Sequence, residues 1–194
     1  MIVIVDYDAG NVRSVLNALH RLGTEAKVTA DPEVLRRAER VIFPGVGHAE
    51  TAMTNLRKSG LDEVIRELNQ PFLGICLGMQ LMCKFTEEGD TAGLGIFSEE
   101  VKRFRGEVRV PHMGWNEVES LRSPIYEGIP EKSNLYFVHS YFVEAGPDSA
   151  SITDYNGKFA SALAKKNFFG VQYHPEKSGD VGERILSNFL KIRL

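Results

Sequence analysis

Apolar positions in the first half of the chain switch between two periods. Ile2–Val5 is a short continuous apolar run of the kind that makes a buried strand. Val12, Val15, Leu16 and Leu19 then fall at i, i+3, i+4 and i+7, one face of a helix, and Gly23 is placed to stop it. Glu25–Thr29 alternates as a strand does. Asp31-Pro32 reads as an N-cap followed by proline at the first helical position. Val41–Phe43 predicts a third strand, ending at Pro44. Ala49, Ala52, Met53 and Leu56 mark a helix stopped by Gly60, and Leu61, Val64, Ile65 and Leu68 mark the next. Pro71 opens a strand that runs through Phe72–Ile75 to Cys76. This alternation predicts a doubly wound, mostly parallel α/β sheet with flanking helices.

The second half is richer in strands. Val101–Phe104, Asn116–Ser120, Leu135–Val138 and Ser151–Tyr155 read as extended, and Asn156-Gly157 is a hairpin turn leading into Phe159–Ala164. Phe168–Tyr173 is the last strand. Val181, Ile185, Phe189 and Ile192 give a closing helix. With no repeat, low-complexity tract or linker, residues 1–194 read as a single α/β domain with an added antiparallel β region.

Composition narrows the class without naming it. The 194 residues suffice for one ordinary core, and 43% hydrophobic with 25% charged is a normal globular mix. A net charge of −3 gives no reason to expect nucleic acid or an anionic membrane surface. No apolar run approaches the ~20 residues that span a bilayer. The start, MIVIVD, lacks the basic beginning and long apolar stretch of a signal peptide and reads as a strand. Two cysteines do not make a disulfide scaffold, and a reducing, cytoplasmic setting fits best.

The chemistry concentrates in Gly74-Ile75-Cys76-Leu77-Gly78. This has the G-x-nucleophile-x-G form of a nucleophile elbow, with cysteine where hydrolases often carry serine. A nucleophile on a sharp strand-to-helix turn projects its side chain, small neighbours let strand and helix pass close, and the helix N-terminus favours a thiolate. The N–H of Leu77 becomes a natural oxyanion donor. The plainer reading is a buried core cysteine, and Cys83, four residues after Met79, is read that way. Of five histidines, His174 has the most suggestive setting: Pro175 biases it toward extended geometry, which would put His174 and Glu176 on one face at the end of the last strand. That suits an imidazole base oriented by a carboxylate. An inert solvated strand end, or zinc on Cys76, His174 and Glu176, are the competing readings. The Pro44-Gly45-Val46-Gly47 loop could supply a second oxyanion donor or be an ordinary tight turn. Its glycines do not complete a dinucleotide fingerprint, there is no Walker motif, and no cofactor is called for.

GICLGMQ, HPEKSG and the PGVG loop together resemble the class I, triad-type glutamine amidotransferases over nearly the whole chain. PHMGWN (Pro111–Asn116) and YFVHSY (Tyr136–Tyr141) narrow the resemblance to those serving a cyclase in histidine biosynthesis. One departure is Asp8, where the family often has glycine. The resemblance implies that Cys76 attacks the side-chain amide of glutamine, that His174, held by Glu176, shuttles the proton, and that a γ-glutamyl thioester is hydrolysed. It implies oxyanion donors at Val46 and Leu77, and substrate contacts at Gly47, Gln80 and the His139-Ser140-Tyr141 backbone. Ammonia would pass to a separate (β/α)8-barrel cyclase subunit that binds the phosphorylated substrate. That subunit would make imidazole glycerol phosphate and an aminoimidazole carboxamide ribotide. The two chains would form a heterodimer, with Asn11, Met113, Trp115, Asn116, Tyr136 and Lys177 facing the partner. Against these stand plainer readings: Gln80 as a helix-surface residue, Trp115 as core, and His139–Tyr141 as a plain strand end. Glutaminase service to another synthase, a cysteine hydrolase of another acyl substrate, and a silent docking subunit are the other functional readings.

Overall fold

The computed structural model describes residues 1–7 and 11–193, so Asp8 lies outside the described residues. The first half carries β1 (Ile2–Val5), α1 (Val12–Arg21), β2 (Ala26–Thr29), α2 (Pro32–Arg36), β3 (Arg40–Gly45), α3 (Ala49–Ser59), α4 (Leu61–Glu67), β4 (Phe72–Cys76) and α5 (Leu77–Met82). The second carries β5 (Phe85–Thr86), β6 (Thr91–Ala92), β7 (Glu100–Arg103), β8 (His112–Val118), β9 (Ser133–His139), β10 (Tyr141–Val143), β11 (Ser149–Asp154), β12 (Lys158–Lys165), β13 (Phe168–Val171) and α6 (Gly179–Lys191). Short 3-10 turns lie at Pro124–Tyr126 and Pro175–Lys177.

The punctuation residues act as their chemistry requires. Asp31 caps α2, its carboxylate accepting from the N–H groups of Glu33 and Val34. Gly23 and Gly60 take positive φ where α1 and α3 end. Asn156 and Gly157, both at positive φ, turn β11 back antiparallel onto β12.

One 11-stranded sheet runs in the order β2-β1-β3-β4-β13-β12-β10-β7-β5-β6, with β11 branching from β12. Pairing is parallel from β2 to β13 and antiparallel from β13 through β12 and β10 to β7. Strands β8 and β9 form a separate antiparallel pair. Alternation along the central strands divides the core between the two faces. Val3, Val5 and Phe43 pack with Met53, Leu56, Ile65 and Met79 of α3, α4 and α5. Ile4, Ile42 and Leu73 pack with Val15 and Leu19 of α1, Ile185 and Phe189 of α6, and Leu135 and Phe137 of β9. Each large side chain so buried stabilises the fold by about 1.5–3 kcal/mol.

Two local expectations are corrected. Strand β3 continues through Pro44 to Gly45, because β1 pairs with it only as far as Ile42. Beyond that point β3 pairs on the β4 side, and a proline N is tolerated where a strand has only one neighbour. The strand expected at Asn116–Ser120 lies earlier: β8 begins at His112, within PHMGWN, and ends at Val118. Its inward positions are His112 and Asn116 and its outward ones Met113 and Trp115, an inverted pattern that hides a strand from periodicity.

Candidate active site

Strand β4 lies between β3 and β13, all parallel, and their carboxyl ends converge. That is where open α/β sheets bind ligands. Cys76 stands at this point with φ 53° and ψ −109°, a conformation that L-residues other than glycine rarely adopt. It is buried in its surroundings. The glycines around it are demanded by contact: a Cβ on Gly78 would lie 2.0 Å from the Phe43 carbonyl oxygen, and one on Gly74 would lie 2.6 Å from Met82 Sδ and 2.8 Å from the Met79 nitrogen. They let α5 start directly on β3 and β4, which turns the chain at Cys76. Leu77 follows as the first residue of α5. Cys83 is fully buried at the other end of that helix, 3.6 Å from the Met79 carbonyl, and burial pushes its thiol well up.

His174 follows β13, one strand over from Cys76. Its Nδ1 is 2.8 Å from Glu176 Oε1, with both side chains almost wholly buried. The contact is made through the 3-10 turn at Pro175–Lys177, not by strand alternation as the sequence predicted. The turn is fixed by Ser178, whose hydroxyl donates to the His174 carbonyl and accepts from the Tyr136 N–H. His174 Nε2 is buried without a hydrogen bond. Burial acts to lower the His174 pKa, but the neighbouring Cys76 thiol and the Glu176 carboxylate hydrogen-bonded to Nδ1 outweigh it and raise it to about 10.

A cleft of about 330 Å³ opens over the cysteine, at the small end of ligand-binding pockets. Of the residues singled out from sequence, Cys76, His174, Val46, Gly47, Leu77, Gln80, His139, Ser140 and Tyr141 all line it. Gly47 takes φ 114° and Val46 is exposed, so the loop after β3 forms the open lip. Gln80 is buried, not on a helix surface, and its Nε2 donates to the Tyr141 carbonyl and to Gln172 Oε1, both at 2.9 Å. Gln172 Nε2 in turn lies 3.6 Å from Cys76 Sγ, and the Val138 carbonyl lies 3.8 Å from the same sulfur.

Sequence reasoning missed Gln172 and Glu88. Gln172 is completely buried beside the sulfur, and Glu88 lines the cleft while its Oε2 accepts from the Ala49 N–H at the start of α3. Glutamine two residues before the histidine was the only signal for the first; nothing local marked the second. Tyr7 was also missed: its buried hydroxyl donates to the Pro44 carbonyl at 2.7 Å and so holds the strand that leads into the Val46–Gly47 lip.

The remaining predicted residues do not line the cleft. Met113 and Trp115 are 58% and 57% exposed, so Trp115 is not core. Its ring meets Tyr136 edge-on, with centroids 5.9 Å apart, across the β8–β9 pair. Lys177 is exposed on the turn after His174. Asn11 caps α1, accepting from the Ser14 N–H. Asn116 turns to the opposite side of β8 from Trp115, donating to the Asp154 carbonyl. Among the described residues no cluster of histidine, cysteine, aspartate or glutamate side chains has metal-ligating geometry, and no helix is long and apolar enough to cross a membrane.

A thiol on a strained elbow, a buried imidazole–carboxylate pair and a small cleft above them are the groups that cysteine-dependent acyl transfer requires. The chain belongs to the glutamine amidotransferase class-I family, whose pattern matches residues 3–192. A solved glutamine amidotransferase superposes with a TM-score of 0.77 at 21% identity, covering 98% of each chain, a likeness of fold. Within the family the chain groups with the imidazole glycerol phosphate synthase subunits HisH. It is 55% identical to that of Bacteroides fragilis, over 98% of this chain and 99% of the relative. It is 46% identical to that of Dehalococcoides mccartyi, over 100% and 98%.

Proposed function

We propose that the chain is the glutaminase subunit of an imidazole glycerol phosphate synthase in which Cys76, His174 and Glu176 form the catalytic triad. The activity, release of ammonia from glutamine for histidine biosynthesis, follows from membership of the family. The assignment of residues rests on one observation above the others: the buried His174–Glu176 pair, its imidazole pKa raised to about 10 beside Cys76, under a cleft sized for a free amino acid.

His174 takes the proton of the Cys76 thiol, and its raised pKa favours the imidazolium that results. Cys76 Sγ attacks the side-chain amide carbon of glutamine, and the C=O π electrons move to oxygen. The N–H of Leu77, at the start of α5, and the N–H of Val46, in the lip of the cleft, stabilise that oxyanion. Collapse breaks the C–N bond as His174 delivers its proton to the departing ammonia. The resulting thioester is attacked by water, whose proton returns to His174, and glutamate leaves. Glu176 keeps the imidazole oriented and its charge compensated throughout. Gly47, Gln80 and the His139–Tyr141 segment hold the substrate, and the Glu88 carboxylate, in the same cleft, is suited to its α-ammonium group.

Ammonia then passes to a separate cyclase subunit, whose docking face is the exposed Met113–Trp115 strand with Tyr136, Asn11 and Lys177. Exposed tryptophan and methionine on a short strand are typical anchors of such contacts. In the complex with the cyclase, Cys76→Ala is expected to abolish glutamine-dependent synthesis and to leave synthesis from added ammonium intact. Undiminished glutamine-dependent activity would remove Cys76 as the nucleophile.

A further inference from the structure

A chain of hydrogen bonds crosses from β8 to the cleft, and two of its members, His112 and Asn116, have no place in the mechanism above. His139 Nδ1 lies 2.7 Å from the Tyr141 carbonyl. A carbonyl only accepts, so Nδ1 carries the proton. His139 Nε2 lies 2.9 Å from His112 Nδ1, and His112 Nε2 lies 3.3 Å from Asn116 Nδ2. Asn116 Nδ2 also donates to the Asp154 carbonyl at 3.0 Å, while its Oδ1 accepts from the Glu117 N–H, which fixes the amide's orientation.

The direction of every bond is then determined. Asn116 gives a proton to His112 Nε2, His112 Nδ1–H gives to His139 Nε2, and His139 Nδ1–H gives to Tyr141. This sequence needs two neutral imidazoles, each with one N–H and one lone pair. Both rings are buried, and burial lowers His112 to about 4 and His139 to about 3. Aromatic neighbours hold them: His112 stacks on Tyr155 with centroids 3.9 Å apart and on Phe137 at 5.0 Å. The Tyr141 carbonyl is the point of convergence, because it accepts from Gln80 as well as from His139.

We infer that His112 is a positioning residue for glutamine binding: through the His139 side chain it fixes the Tyr141 carbonyl, and with it the amides of Gln80 and Gln172 that end at the Cys76 sulfur. The role rests on the glutaminase reading, and it belongs to the Nδ1–H tautomer of His112, which Asn116 selects. His112 touches neither the substrate nor the sulfur. Its removal therefore weakens the hold on glutamine while leaving the cyclase reaction untouched.

The test is steady-state kinetics of the assembled complex at saturating cyclase. His112→Phe keeps the stacking and loses the donor; it is expected to raise KM for glutamine on the order of 10-fold, with ammonium-dependent synthesis unchanged. His112→Asn, whose amide nitrogen stands where Nδ1 stood, is expected to stay near wild type. Asn116→Asp puts an acceptor opposite Nε2, so it should invert the His112 tautomer, visible in imidazole ¹⁵N shifts, and reproduce the higher KM without touching the ring. An unchanged KM in His112→Phe, or an equal loss in His112→Asn, overturns the inference. If His112→Phe does not fold, Asn116→Asp decides alone, and a wild-type KM with an inverted tautomer overturns it. Failure of the glutaminase reading is distinguishable, since wild-type complex would then release no ammonia from glutamine.

Discussion

Exchanging His139 for glutamine isolates the cost of keeping an imidazole neutral inside this fold. Burial lowers the His139 pKa from 6.5 to about 3. Between those values the unfolded chain binds a proton that the folded chain refuses, so stability is full above pH 6.5 and falls as the solution is acidified. At pH 5 the unfolded imidazole is 1.5 units below its own pKa, and at about 1.4 kcal/mol per unit the penalty is about 2 kcal/mol. It keeps growing until the pH reaches about 3. The residue is only 6% exposed, so solvent screening does not reduce the figure much. His112 shifts in the same direction and adds to the wild-type loss. Urea unfolding at pH 7 and pH 5 measures the effect. Wild type should lose about 2 kcal/mol more than His139→Gln across that interval, whatever the variant's stability at pH 7. Hydrogen bonds lost by the substitution cancel in the difference, and so does His174, which both proteins retain. Equal losses in the two proteins would refute the argument and show that His139 takes up its proton in the folded state as easily as in water.

Two further outcomes are expected. Gly78→Ala places a Cβ 2.0 Å from the Phe43 carbonyl, so α5 must lift from β3; urea unfolding should show about 1–3 kcal/mol of destabilisation, together with loss of glutamine hydrolysis, and an unperturbed variant would contradict the close contact. Trp115→Ala removes a side chain that is 57% exposed, so unfolding should change by less than about 1 kcal/mol while affinity for the cyclase, read by calorimetric titration, falls at least 10-fold; unaltered affinity would move the docking face elsewhere.

The parts of the site that were legible in sequence are those where local geometry forces the residue. Glycine on both sides of Cys76 follows from the contact of α5 with β3 and β4, and a proline after His174 follows from the turn that brings Glu176 back to the ring. The central strands and α1 were equally plain, because a strand buried on both faces and a helix buried on one leave clear periods. The illegible parts depend on neighbours far along the chain. Gln172 and Glu88 acquire their places only when β13 and the segment after β5 pack around α5. Strand β8 was read late because its buried side is polar, and a histidine and an asparagine there are satisfied by His139 and Asp154 instead of by water. The His174–Glu176 contact was anticipated through the wrong geometry: alternation in extended chain was expected, and a 3-10 turn supplies it.

The place of β13 in the sheet has a consequence for the birth of the protein. Phe168–Val171 pairs with Phe72–Ile75, and it inserts between β4 and β12 close to the middle of the sheet. A chain emerging from the ribosome can assemble β2-β1-β3-β4, but the far edge of β4 stays unpaired until Phe168–Val171 has been made. Such an edge is a template for association with other chains, and the cysteine sits at its tip. On the proposed triad the base, His174, comes after β13, so a chain not yet translated that far would carry the thiol without its base.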